Sequence, residues 1–228
     1  MADKKSLFED ILNESAEFED ICDAAKKGKF PIALGGVTDT VKSHIAYSLC
    51  KKLNKKLLFV TYSEANAKKL CEDCGFFFGE KICRFPDREL MFYDIEAAAG
   101  DIKKDRLTVV EKMMSSKKPH IVTTISALNS PTVSKKLYES ETLKLEVGEE
   151  YDLDFISEKM VSLGYKAVDM TEGRGQFSIR GGIFDFFPLW SELAVRIEFF
   201  DTEIESIRYF DIDNQRTVEN INKTKITP

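Results

Sequence analysis

In the stretch GGVTDTVKSH, residues 35–44, three positions keep the spacing of a phosphate-binding loop: Gly36 opens the count, and Lys42 and Ser43 close it. In such a loop the glycines let successive backbone N–H groups turn toward phosphate, the lysine reaches the β- and γ-oxygens, and the hydroxyl holds magnesium. The second glycine of the pattern is replaced by Val41, a β-branched residue where any side chain crowds the turn. Asp39 adds negative charge where a polyanion would lie. No apolar run ending in an acidic pair follows in this half of the chain to hold magnesium and order a water. Gly36, Lys42 and Ser43 therefore read as a degenerate, inactive cofactor-binding loop that joins a strand to a helix. No catalytic residue is assigned, and a working nucleotide-binding module is the alternative reading.

Cys71 and Cys74 form a CxxC with Cys83 nearby, but no convincing fourth zinc ligand accompanies them. Leu70 and Cys71 fall on an apolar helical stripe, so buried thiols are expected and no metal. Five cysteines, an odd number, fit a reducing cytoplasm better than a disulfide framework. The net charge of −6 and pI near 5.2 draw nothing globally to nucleic acid. The lysine pairs within 51–56 and at 117–118 are expected to be solvated helix ends, which disfavours a DNA-binding fragment. No stretch approaches the roughly 20 apolar residues that span a bilayer, and the N-terminus lacks the apolar core of a signal peptide; no membrane association is expected.

The elements that must position these residues alternate over the first part of the chain. Ser6 and Glu9 form a capping box for a helix carrying Leu7, Phe8, Ile11, Leu12, Phe18, Ile21 and Cys22, closed by Gly28. FPIAL (30–34) predicts a strand entering the glycine loop, and SHIAYSLCKKL the helix leaving it. KLLFVTYS, KICRFP and HIVTTIS predict further strands. EANAKKLCEDC, capped by Ser63 and stopped by Gly75, and DIKKDRLTVVEKMMSS predict the helices between them. This alternation implies an α/β domain over 1–142 with a parallel, P-loop-like sheet covered on both faces. From 143 to about 212 the texture is that of a small antiparallel α+β domain, with one helix in DLDFISEKMVSLG followed by strands rich in Phe and Ile. Residues 213–228 read as a segment returning toward the first domain.

In AVRIEFFD, Val195, Ile197 and Phe199 share one strand face, and Arg196, Glu198 and Phe200 share the other. In QFSIRGG, Arg180 points away from Phe177 and Ile179, and Gly181–Gly182 predicts a bulge or bend. Arginine with an aromatic on an outward face is the composition of protein interfaces. The plainer alternative pairs these arginines with Glu198 and Glu205 across strands.

The blocks GRGQFSIRGGIFDFFP and VRIEFFDTEIESIRYFDIDNQRT, with FPIALGGV, RFPDRELMFYD and KKDRLTVVEKM before them, resemble the N-terminal part of the bacterial transcription-repair coupling factor (Mfd) family. That part is in turn similar to the excision-repair protein UvrB. Val41, and the short stretch between Asp87 and Asp105, depart from UvrB and favour the coupling-factor side. The resemblance implies a docking function: the small domain is the surface that UvrA recognises, and the family's contact residues fall on Arg180, Arg196 and Phe200. It also implies that this chain is an N-terminal piece without ATPase activity of its own. ATP and magnesium, the translocase acting on double-stranded DNA and the RNA polymerase contact would belong to downstream sequence, and the patch would be masked in the intact protein by its C-terminal region.

Overall fold

A computed structural model describes residues 12, 14–88, 96–114 and 118–228, which divide into two compact units at Pro131–Thr132. In the first, helix α1 spans Ala16–Lys26, with the Ser15 hydroxyl accepting from the Phe18 amide at 3.3 Å. The helix predicted from Ser6 is therefore interrupted at Glu14–Ser15, and its capping box lies outside the described residues. Phe30–Leu34 joins no strand, and Phe30 is 70% exposed. An apolar run becomes a strand only where a neighbour offers backbone partners, and among the described residues none is beside it.

Helix α2 covers Asp39–Leu53 and ends at Asn54 in the left-handed conformation (φ 50°). Strand β1, Leu58–Thr61, leads into helix α3, Glu64–Phe78, which Ser63 caps through the Asn66 amide. The helix runs through Gly75, the predicted stop, as far as Gly79. Burying Phe78 outweighs the cost of about 1 kcal/mol for an interior glycine. Then follow β2 (Ile82–Phe85), α4 (Glu96–Met114), β3 (His120–Thr124) and the short α5 (Ile125–Asn129).

The strands form a parallel sheet in the order β1-β3-β2. On one face Ala67 and Leu70 of α3 pack against Val122. On the other, Arg106 of α4 lies 4.0 Å over the Phe85 ring and Lys112 donates to the Cys83 sulfur at 3.3 Å. Leu58 and Val60 on β1 are exposed, so α4 does not extend its cover to that strand.

The second unit holds α6 (Lys135–Glu141), β4 (Leu143–Glu146), α7 (Leu153–Ser162) and strands β5 (Lys166–Ala167), β6 (Gln176–Arg180), β7 (Ile183–Phe186), β8 (Ala194–Phe200), β9 (Glu203–Phe210), β10 (Thr217–Ile221) and β11 (Lys223–Ile226). Six of these form a sheet in the order β10-β9-β8-β7-β6-β5, antiparallel except for the β5–β6 pair, and β11 pairs with β4 in a separate ribbon. Residues 213–228, expected as a return segment, thus add β10 and β11 to this unit. Ile156 and Met160 of α7 join Phe177, Phe184, Phe186, Val195, Ile197 and Ile207 in one core on the inner sheet face.

Gly181, at φ 59°, and Gly182 make the β6–β7 turn rather than a bulge. A side chain at Gly182 would put its Cβ 2.6 Å from the Phe199 carbonyl oxygen. The register shift lies instead at Glu198–Phe199.

Candidate partner-binding site

The outer face of the six-stranded sheet is built by strand alternation. The inward set Val195, Ile197 and Phe199 leaves Arg196, Glu198 and Phe200 outward. Antiparallel register places Asp185 of β7 directly opposite Arg196 of β8.

Asp185 is 2% exposed and accepts from Arg196 Nε at 2.7 Å, Arg196 Nη2 at 2.8 Å and Arg180 Nη2 at 3.0 Å. A bidentate pair of this kind fixes the guanidinium plane. Arg196 also lies 4.4 Å over the Phe210 ring and donates to Gln215 Oε1 at 2.8 Å. Its side chain is consequently only 14% exposed, against 43% for Arg180. Arg196 has the outward parity that the sequence predicts, yet it is largely covered, and its counter-ion is Asp185 rather than Glu198 or Glu205. Phe200, at the end of β8 opposite Glu203, is 76% exposed. The face thus offers solvent a bare phenyl ring and half a guanidinium, with the second guanidinium locked behind.

Glu198 belongs to a neighbouring pair. Arg208 Nη2 and the Ser206 hydroxyl both donate to it, and the arginine first, then the serine, hold its carboxyl down at about 2. The contributions of Asp185 and Gln215 were missed in the sequence because both reach Arg196 across space. The available signal was an acidic residue on a Phe-rich strand, Asp185 in IFDFF.

The glycine loop is arranged differently. Gly36 takes φ 72° and is exposed. Lys42 donates to Asp39 at 2.8 Å, and Lys69 stands 3.9 Å from the same carboxylate. Lys42, with Lys69, pulls that carboxyl below its ordinary range. Ser43 is fully buried, and its hydroxyl has no hydrogen-bond partner among the described residues. Gly36, Lys42 and Ser43 thus do not converge on one ligand. All five cysteines are free. Burial pushes the Cys71 thiol up to about 11 and those of Cys22, Cys50 and Cys74 in the same direction, so these four stay protonated at neutral pH. No helix among the described residues is long and apolar enough to cross a membrane.

Residues 143–228 match the protein family described as the UvrB interaction domain. Over 219 residues, 96% of the chain, the sequence is 30% identical to the transcription-repair-coupling factor of Bacillus subtilis strain 168. It is 30% identical over 218 residues to the protein of that name from Staphylococcus aureus strain bovine RF122, and 29% identical to that from strain Mu50. The chain spans 19% of the length of the Bacillus protein and 18% of each of the other two.

Proposed function

We propose that this chain, similar along nearly its whole length to part of a transcription-repair coupling factor, is a docking module whose small sheet binds UvrA. The observation that carries the reading is Phe200, a large apolar side chain left bare on the same outer sheet face as Arg180 in a domain that matches the UvrB interaction family. An exposed aromatic sharing a face with a half-exposed arginine is the composition of a binding hot spot. Asp185 adds preorganisation, because the arginines it holds lose little side-chain entropy on binding.

In this reading the first unit is a P-loop-like support whose loop carries no ATPase chemistry. Translocation on double-stranded DNA with ATP and magnesium, and contact with RNA polymerase, belong to other parts of the longer proteins. Masking by a C-terminal region would act on the same face. Arg196 is an unsuitable probe, since Arg196→Glu sets a second acid against buried Asp185 and disturbs the fold. Phe200→Ala removes only exposed surface. Titration of purified UvrA with the Phe200→Ala chain is expected to show affinity about tenfold weaker, about 1.4 kcal/mol, with an unchanged melting curve. Equal affinity of the variant and the parent overturns the proposal.

A further inference from the structure

A second cleft in the first unit, of about 390 Å³, is lined by Lys51, Lys55, Lys56, Lys81, Asn54 and His120, with Tyr47, Phe77 and Phe78 as its walls, and no carboxylate lines it. It lies at the N-terminal ends of β1 and β3, whereas the glycine-loop cleft lines Thr61 and Tyr62 at the other end of β1. In a chain of net charge −6, Lys26, Lys42, Lys52, Lys69, Lys135 and Lys159 each pair with an acid, while Lys29, Lys68 and Lys136 stand singly on the described surface without one. Lys55, Lys56 and Lys81 pair with none among the described residues.

His120 is a second and separate sign of a missing ligand. It is 7% exposed, and its Nδ1 accepts from the Leu57 amide at 3.1 Å, which puts the ring proton on Nε2. That N–H has no partner among the described residues, so a nearly buried donor is presented to the cleft. Burial, then Lys56 and Lys81, push the imidazole below its ordinary range, and all three residues line the same cleft.

We infer that this cleft binds a compact polyphosphate, either the free inorganic anion or the phosphate chain of a nucleotide. Its oxygens would accept from the lysine ammonium groups and from His120 Nε2–H, supplying the counter-charge that the protein withholds. The aromatic walls are already paired with one another or with histidine. Phe77 stacks on His44 at 5.3 Å and on Tyr47 at 5.4 Å, and Phe78 lies 4.3 Å from the His120 ring. The groups that converge on the cleft, the lysine ammonium groups and His120 Nε2–H, are all donors to oxygen, so the phosphate chain is the recognised part. The volume sits near the low end of small-ligand pockets, about 300–1,000 Å³, which suits a di- or triphosphate rather than a strand of nucleic acid.

The test is proton NMR of the chain's two histidines during titration with sodium pyrophosphate, ADP, AMP and a short single-stranded DNA, together with thermal melts. Pyrophosphate is expected to shift the His120 signals saturably at millimolar concentration and to raise the melting temperature. Lys56→Gln/Lys81→Gln should weaken binding at least tenfold without lowering the melting temperature, because it relieves repulsion. Equal affinity for pyrophosphate and ADP identifies the inorganic anion, and tenfold preference for ADP identifies the nucleotide; AMP should bind more weakly than either. Any one of these results overturns the inference: no saturable shift, unchanged binding by the double variant, tighter binding of single-stranded DNA than of pyrophosphate, or loss of binding in Lys42→Ala. The last would put the anion in the glycine loop. A double variant that melts lower, with no pyrophosphate effect on the parent, assigns the lysines to the carbonyls at the helix ends and also overturns it.

Discussion

The glycine loop of the first unit and the outer sheet face of the second are both built on acid–base pairs, but the two differ in depth. Asp39 and Lys42 sit three residues apart on one helix turn, with both side chains about half exposed. Asp185 is buried, and the arginines it serves come from two flanking strands, five residues before it and eleven after. A pair on one exposed turn can be lost without consequence for packing. A buried acceptor shared across three strands ties sheet register, charge balance and the outer sheet face together. The motif with the familiar spacing thus rests on a half-exposed local pair, and the face without a motif holds the buried, shared acceptor.

Three substitutions probe that difference, in descending order of effect. Asp185→Ala strips the counter-ion from Arg196, which is 14% exposed, and is expected to destabilise the second unit by about 3 kcal/mol. Urea unfolding followed by circular dichroism measures this, and a loss within error of zero would erase the contrast. Glu198→Gln is intermediate. Its pair with Arg208 is about one-third exposed on the acid side, so a cost below about 1 kcal/mol is expected at neutral pH.

The sign of the pH dependence follows from the carboxyl's fall from 4.5 to about 2. The folded state gains from the charged form above pH 4.5 and loses that gain as the pH drops toward 2. The gap between parent and Glu198→Gln should therefore close over that interval; a gap that stays constant would remove the pair from the stability account. Lys42→Ala is expected to change stability by less than about 0.5 kcal/mol. If Mg-ATP calorimetry gives heat that this substitution abolishes, the loop is not degenerate and the ranking reverses.

Much of the arrangement was legible in the sequence. Strand parity separated Arg196 and Phe200 from Val195 and Ile197 because side-chain direction alternates regardless of context. Ser63 was readable as a cap because capping is local. The rest depended on neighbours that spacing does not encode. Phe30–Leu34 has strand composition but no adjacent strand. Parity marked Arg196 as outward, while Phe210 and Gln215, from β9 and the turn after it, cover it. The lysines of 51–56 are the exposed helix end that the sequence predicts, and what spacing does not encode is that Lys81 and His120, remote in the chain, border the same cleft.

The β4–β11 ribbon carries a practical consequence. Leu143 and Ile226 are register partners across it, so the segment between them starts and finishes at neighbouring points about 5 Å apart. A host loop with so small a gap could receive the whole cassette by transplantation, moving the six-stranded sheet onto an unrelated scaffold without stretching either junction.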